Sequence, residues 1–293
     1  MRVVIIGAGR IGQAFKFLCE KKAQSVSLFD ADTTKIPDQR PLSETIPDAD
    51  VIFLCIQSFA IREVLQEISP YLKKDALVVS LAKGIERTTH LTLGEVIPEC
   101  LSPHQPWGLI IGPMLSEEII QGQGSAGVFA GNSASSLKIL SELIDKEDLS
   151  LEFSSDIRGV ALSGVLKNIY ALALGIADGI GWGANRKGWL ITHAIKEMHG
   201  IIRILGGTAA SVDGPAGLGD LIATGSSPHS RNRATGEQIV ATGAMNPLSE
   251  GYISLASLKS MLGDRHSEFK LLTALIDIIE HKKNAAEIYK TLL

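Results

Sequence analysis

The hexapeptide Gly7-Ala8-Gly9-Arg10-Ile11-Gly12 follows directly on the apolar run Arg2–Ile6 and opens a helical stretch that ends near Lys21. A strand that runs into G-x-G-x-x-G and then a helix leaves few folds open. The first glycine allows the tight turn, the second lets backbone approach a pyrophosphate, and the third permits close strand–helix packing. The helix N-terminus then faces the phosphates with N–H groups that have no partner in the helix. The next apolar run, residues 25–30, closes on an acid, Asp30. A carboxylate at that place accepts hydrogen bonds from the adenosine ribose hydroxyls and repels a 2′-phosphate. Motif, context and acid together predict a dinucleotide site built from Gly7, Gly9, Arg10, Ile11, Gly12 and Asp30. They favour NAD(H) over NADP(H).

Further apolar runs at residues 51–56, 76–81, 109–111, 126–130 and 151–153 alternate with helical patterns over 59–69 and 134–144. Continuous apolar runs separated by helices are the pattern of a parallel sheet covered on both faces. Beyond Ser155 the strand-like runs stop. Helical stretches follow over 157–180, 185–205, 230–241, 254–262 and 269–280. The expected organisation is an α/β Rossmann-type dinucleotide-binding domain over 1–155 and a mostly α-helical substrate and catalytic domain over 156–293. A chain of 293 residues suits two such domains.

Charge and composition exclude several partners. A formal net charge of -4 argues against nucleic acid, which needs a basic surface. Cys19, Cys55 and Cys100 are odd in number and widely spaced, so reduced thiols in a cytoplasmic protein are expected, not a disulfide frame. The N-terminal apolar run is too short for a signal peptide. The long apolar segment 159–182 contains Lys167, Asn168 and Asp178, which fits a buried helix and not a membrane span. His193 and His199 lie six apart, off a common helix face, and HExxH is absent, so no metal is called for.

The second half carries more specific signals. Gly164-Val165-Leu166-Lys167-Asn168 resembles the catalytic-lysine helix of the NAD(P)-dependent glycerol-3-phosphate dehydrogenases. Gly217-Leu218-Gly219-Asp220-Leu221, followed by Ser230-Arg231-Asn232-Arg233, is similar to further motifs of that family. Ala82-Lys83-Gly84-Ile85 and Gly112-Pro113 stand where the family has its Lys-Gly and Gly-Pro motifs. The resemblance implies a helical domain of the 6-phosphogluconate dehydrogenase C-terminal type. It also implies interconversion of dihydroxyacetone phosphate and sn-glycerol 3-phosphate, a small phosphorylated three-carbon pair, by a homodimer.

By the same resemblance, Lys167 matches the proton donor and acceptor, and Asp220 the acid beside the substrate hydroxyls. Lys83 matches a substrate-binding lysine that also lies near the cofactor, and Gly112 the Gly-Pro contact. Ser230, Arg231 and Asn232 match the substrate-phosphate site, with Arg231 also near the cofactor, and Thr224 adds a hydroxyl there. Ser116 and Glu250 fall near the cofactor. The residue types suit the chemistry. Hydride addition to a ketone puts negative charge on oxygen, which a positioned cation stabilises and protonates. Arginine makes planar contacts to phosphate.

Three departures stand out. The Gly-Pro motif continues as Met114-Leu115-Ser116, where the family has a small hydroxyl residue, an aromatic and alanine. Arg10-Ile11 replaces a small residue plus an aromatic, and the connection from Asp30 to Asp50 is short. Met114 keeps open a second reading, a relative acting on another small hydroxy or oxo substrate. A third reading is a non-catalytic NAD(H)-binding sensor, since a fold fixes binding and not chemistry.

Overall fold

The computed structural model describes residues 1–246 and 248–292. It separates into two compact units: Met1–Lys83 with Leu91–Ile157, and Gly84–His90 with the chain from Arg158 onward. The sequence boundary after residue 155 did not foresee that the seven residues Gly84–His90 group with the second unit. Ile85 explains why, because it is buried as a member of that unit's hydrophobic core.

The first unit runs β1 (Arg2–Ile6), α1 (Arg10–Glu20), β2 (Ser25–Phe29), α2 (Leu42–Thr45), β3 (Val51–Leu54), α3 (Ile61–Ile68) and β4 (Leu77–Ser80). It continues with α4 (Leu93–Cys100), β5 (Trp107–Ile111), α5 (Ser116–Ile120), β6 (Ala126–Gly131), α6 (Ser135–Leu143) and β7 (Ser150–Ser154). The strands form one sheet in the order β2-β1-β3-β4-β5-β6-β7. β3, β4 and β5 are buried along their whole length, which is why they read as unbroken apolar runs. From β1 the chain turns to one side for β2 and to the other for β3, so β1 stands at the switch point of the sheet. Open α/β sheets bind ligands at the carboxyl ends of strands at such a point, and residues 7–12 follow β1 there.

One expectation needs correction. The sheet is not parallel throughout: β6 runs antiparallel to β5, with Leu109 opposite Ala130 and Ile111 opposite Val128. The connection between them holds only the five-residue α5, with no helix long enough for a full crossover. Residues 93–100 form a helix in a stretch to which the sequence pattern assigned no element. Gly94 and Pro98 hid it, although Thr92 and Glu95 make a reciprocal capping box at its start.

The second unit consists of α7 (Ile157–Gly179), α8 (Ala184–Ile204), α9 (Asp220–Ser226), α10 (Arg231–Thr242), α11 (Glu250–Leu262), α12 (Lys270–Ile279) and α13 (Ala285–Lys290). Everything from Gly159 to Ala177 in α7 is buried, as an all-round apolar helix must be. It is long and apolar enough to cross a membrane by length and composition, yet its apolar stretch is fully buried in the protein. The Tyr170 hydroxyl donates to Glu197 on α8 (2.7 Å), and the Tyr289 hydroxyl on α13 donates to the Ala173 carbonyl (2.8 Å). Glu197 also accepts the Leu271 and Leu272 N–H groups at 2.7 and 3.1 Å, which ties the start of α12 to α8.

Candidate active site

In the first unit the glycine loop is pinned from both sides. Gly7 sits at φ +105°, a left-handed conformation that favours glycine, and its N–H donates to the Phe29 carbonyl (2.7 Å). A Cβ at Gly12 would run into the Gly7 carbonyl oxygen, whereas one at Gly9 would meet nothing within 4 Å. The outer glycines thus close the turn and the middle one borders open space. No side chain caps α1 at Gly9, which leaves its first N–H groups for an anion. These features fit the pyrophosphate of a dinucleotide.

Asp30 lies just past β2, 9% exposed. Its carboxylate accepts the Ala8 N–H (2.8 Å) and the Asp32 N–H (2.9 Å), and Lys35 Nζ stands 3.1 Å from both oxygens. Burial raises its pKa, but these donors outweigh it and hold the carboxyl below its usual value. Gln39 clamps the Asp30 backbone from the N–H and the carbonyl, each at 2.8 Å. Arg10, unlike the other loop residues, reaches away to Glu117 on α5 (2.7 Å), while Ile11 packs half-buried on the sheet's core. Ser116 is the first residue of that same α5. Lys83 Nζ donates to the Gly112 carbonyl (3.1 Å), joining the two residues taken from the Lys-Gly and Gly-Pro motifs. Met114 is partly buried and packs against the first unit's core, so it serves packing in this unit.

In the second unit Lys167, Asp220 and Thr224 meet. Asp220 starts α9 after the wide turn Pro215–Gly219, which brings it and Thr224 onto α7. Lys167 Nζ lies 2.8 Å from Thr224 Oγ1 and 3.0 Å from Asp220 Oδ1, and the Thr224 hydroxyl donates to that same carboxylate oxygen (3.0 Å). The three residues are 5%, 3% and 5% exposed, so the charges are held in a dry setting and answer each other.

Asn168, the next residue of α7, begins a second buried network. Its Oδ1 accepts from Asn232 Nδ2 (2.7 Å), while Asn232 Oδ1 accepts the Ser249 hydroxyl (2.8 Å) and the Gly251 N–H (3.1 Å). Asn232 is therefore a tie between α7, α10 and the start of α11, where Glu250 lies. Ser230 caps α10 by accepting the Arg233 N–H (3.2 Å). Arg233 in turn reaches Asp178 at the end of α7 (2.6 Å), which also accepts Lys187 (2.7 Å). Burial raises the Asp178 carboxyl, and these two cations more than reverse it. Arg231 is exposed and makes no ion pair among the described residues.

The glycine loop with Asp30, the Lys83–Gly112 pair and the Lys167–Asp220–Thr224 group are thus each assembled. Ser230 and Asn232 have structural bonds that the sequence reading did not give them. It also missed Lys35, Gln39, Glu117, Asp178 and Ser249. The Asp-to-Arg pairing of 178 with 233 spans 55 residues and had no local signal.

Comparison with known proteins agrees with both units. The model of the NAD-dependent glycerol-3-phosphate dehydrogenase N-terminus matches residues 32–137, and that of the C-terminus matches 156–290. A glycerol-3-phosphate dehydrogenase (NAD(P)+) of Acinetobacter baylyi is 31% identical over 308 residues, covering 95% of this chain and 86% of that protein. A second, from Sphingopyxis alaskensis, is 32% identical over 260 residues, 86% of this chain and 78% of its own. The crystal structure of the Coxiella burnetii glycerol-3-phosphate dehydrogenase superposes with a TM-score of 0.88 at 25% identity, covering 99% of this chain and 98% of that one. Matched in both halves and along nearly its whole length, the chain belongs to the NAD-dependent glycerol-3-phosphate dehydrogenase family.

Proposed function

We propose that the protein interconverts dihydroxyacetone phosphate and sn-glycerol 3-phosphate with NAD(H). The observation that carries this reading is the buried Lys167–Asp220–Thr224 group on a family member's catalytic helix. NAD(H), when bound, supplies or accepts the hydride at the carbon that is carbonyl in the ketone and carbinol in the alcohol. The chain's own residues handle the charge and the proton. As negative charge develops on the ketone oxygen, the Lys167 ammonium stabilises it and gives up one of its three N–H protons. Asp220 and Thr224 fix the direction of that ammonium, so it needs no reorientation during the step. In the reverse direction the neutral amine takes the hydroxyl proton. Lys83 binds substrate with its Nζ held at the Gly112 carbonyl.

Arg231, at the N-terminal end of α10, takes the substrate phosphate, where the helix end and a charged fork act together. Arg231→Ala is expected to raise KM for dihydroxyacetone phosphate at least about tenfold, the worth of a charge-assisted hydrogen bond. KM for dihydroxyacetone should stay within about twofold of wild type, since that ketone lacks the charged partner. Equal increases for both ketones would remove Arg231 from phosphate recognition.

The decisive test of the whole reading is steady-state turnover with a panel of small oxo compounds, each with NADH and NADPH. Dihydroxyacetone phosphate should give the highest kcat/KM. Another ketone exceeding it about tenfold, a gap of some 1.4 kcal/mol in transition-state binding, would transfer the assignment to that substrate. Met114 is the residue that makes this comparison worth running.

A further inference from the structure

Asp30 was expected to receive the ribose hydroxyls and so to select NAD(H). Its surroundings make that choice conditional. A carboxylate offers about four acceptor positions. Here Oδ2 holds the Ala8 N–H and Oδ1 the Asp32 N–H, and Lys35 Nζ lies 3.1 Å from each. The acceptor positions are occupied. Two of the three donors are backbone groups of the loop and the turn, which cannot leave without unmaking them. The third sits at the end of a flexible side chain that is 45% exposed.

The backbone of Lys35 is itself held in place. Its N–H donates to the Asp32 carbonyl (3.1 Å), and the Asp32 carboxylate is bound by the N–H and hydroxyl of Thr34 at 3.1 and 2.6 Å. The ammonium is therefore presented beside Asp30 by an ordered turn, while its stem stays free to swing.

From this geometry we infer that Lys35 sets the choice between NAD(H) and NADP(H); the inference rests on the dinucleotide reading of the glycine loop. The ribose hydroxyls of NAD(H) compete with Lys35 for Asp30, so the lysine weakens binding of the unphosphorylated cofactor. A 2′-phosphate needs no acceptor from Asp30. It meets a carboxylate already neutralised by Lys35 and takes the ammonium as its own partner. The same side chain thus acts in opposite directions on the two cofactors. An acid after β2, read alone, predicts a stricter exclusion of NADP(H) than this arrangement gives.

Equilibrium titration of the full chain with NADH and with NADPH, followed by nicotinamide fluorescence, tests this without turnover. Lys35→Met removes the charge from an exposed position. It should weaken NADPH binding at least about tenfold, the worth of one charge-assisted contact, and make NADH binding tighter. Lys35→Arg keeps the charge and should hold NADPH affinity near wild type. If Lys35→Met shifts both dissociation constants by the same factor, the inference is overturned while the dinucleotide site stands. If the wild-type protein binds neither cofactor, the dinucleotide reading itself falls and takes this inference with it.

Discussion

Lys167→Ala is expected to lower kcat with dihydroxyacetone phosphate by at least ~100-fold while NADH still binds, because a positioned acid contributes about that much. The argument starts from burial. Lys167 and Asp220 have side chains only 6% and 4% exposed, so their charges are tolerated because each answers the other. Removing the ammonium takes the cation from a buried carboxylate, which costs about 3–5 kcal/mol. A loss of activity could then reflect a weakened fold as well as a missing proton donor. The pair Lys167→Met with Asp220→Asn separates the two effects. It removes both charges and keeps similar volumes, so thermal stability should return towards wild type. Turnover should stay low, since no acid is restored. Wild-type turnover in Lys167→Ala, or turnover that recovers along with stability in the double variant, would remove Lys167 from the chemistry.

The parts of this protein that could be read from sequence are those whose cause is local. The strand, turn and helix around Gly7, Gly9 and Gly12 are dictated within a dozen residues, and they fold as read. The direction of β6 was not legible, because an apolar run looks the same parallel or antiparallel and the deciding factor is the connection before it. Asp30 was found by its place after β2, yet Lys35 and Gln39, five and nine residues on, fold back from a connection with no periodicity to betray them. The second unit shows the same limit more sharply. α7 is buried all round and offers no polar face from which a catalytic side could be chosen. Lys167 and Thr224 lie 57 residues apart and came together on paper only through the family resemblance. That resemblance named Asn232 without revealing that Asn168, Ser249 and Gly251 hold it, since those bonds exist only once α10 and α11 are laid on α7.

How α10 is laid there leads to the second large effect. The two helices touch backbone to backbone: a Cβ at Gly236 would run into the Leu172 carbonyl oxygen and come within 2.7 Å of the Ile176 nitrogen. From the other side, a Cβ at Gly175 would strike the Arg233 carbonyl. Two effects oppose each other at Gly236. Alanine favours a helix interior over glycine by about 0.5–1 kcal/mol. Overpacking costs about 1–3 kcal/mol, and here it wins because the obstacles are main-chain atoms that cannot rotate away. Gly236→Val, larger and β-branched, forces α10 outward and moves Ser230, Arg231 and Asn232 with respect to Lys167 on α7. A displacement of about 1 Å in a catalytic group can cost ~100-fold in rate. The expected result is a fall of that order in kcat/KM, with a smaller fall in Gly236→Ala. NADH affinity should fall much less than kcat/KM, because the glycine loop proposed to bind it belongs to the other unit, and of the residues the resemblance sets near the cofactor, Arg231 lies on the displaced helix. Melting temperature measured on both variants separates displacement from unfolding: Gly236→Ala should remain folded and still lose activity. A folded Gly236→Val with wild-type kcat/KM would mean that the close approach of α7 and α10 does not position the residues proposed for the substrate phosphate.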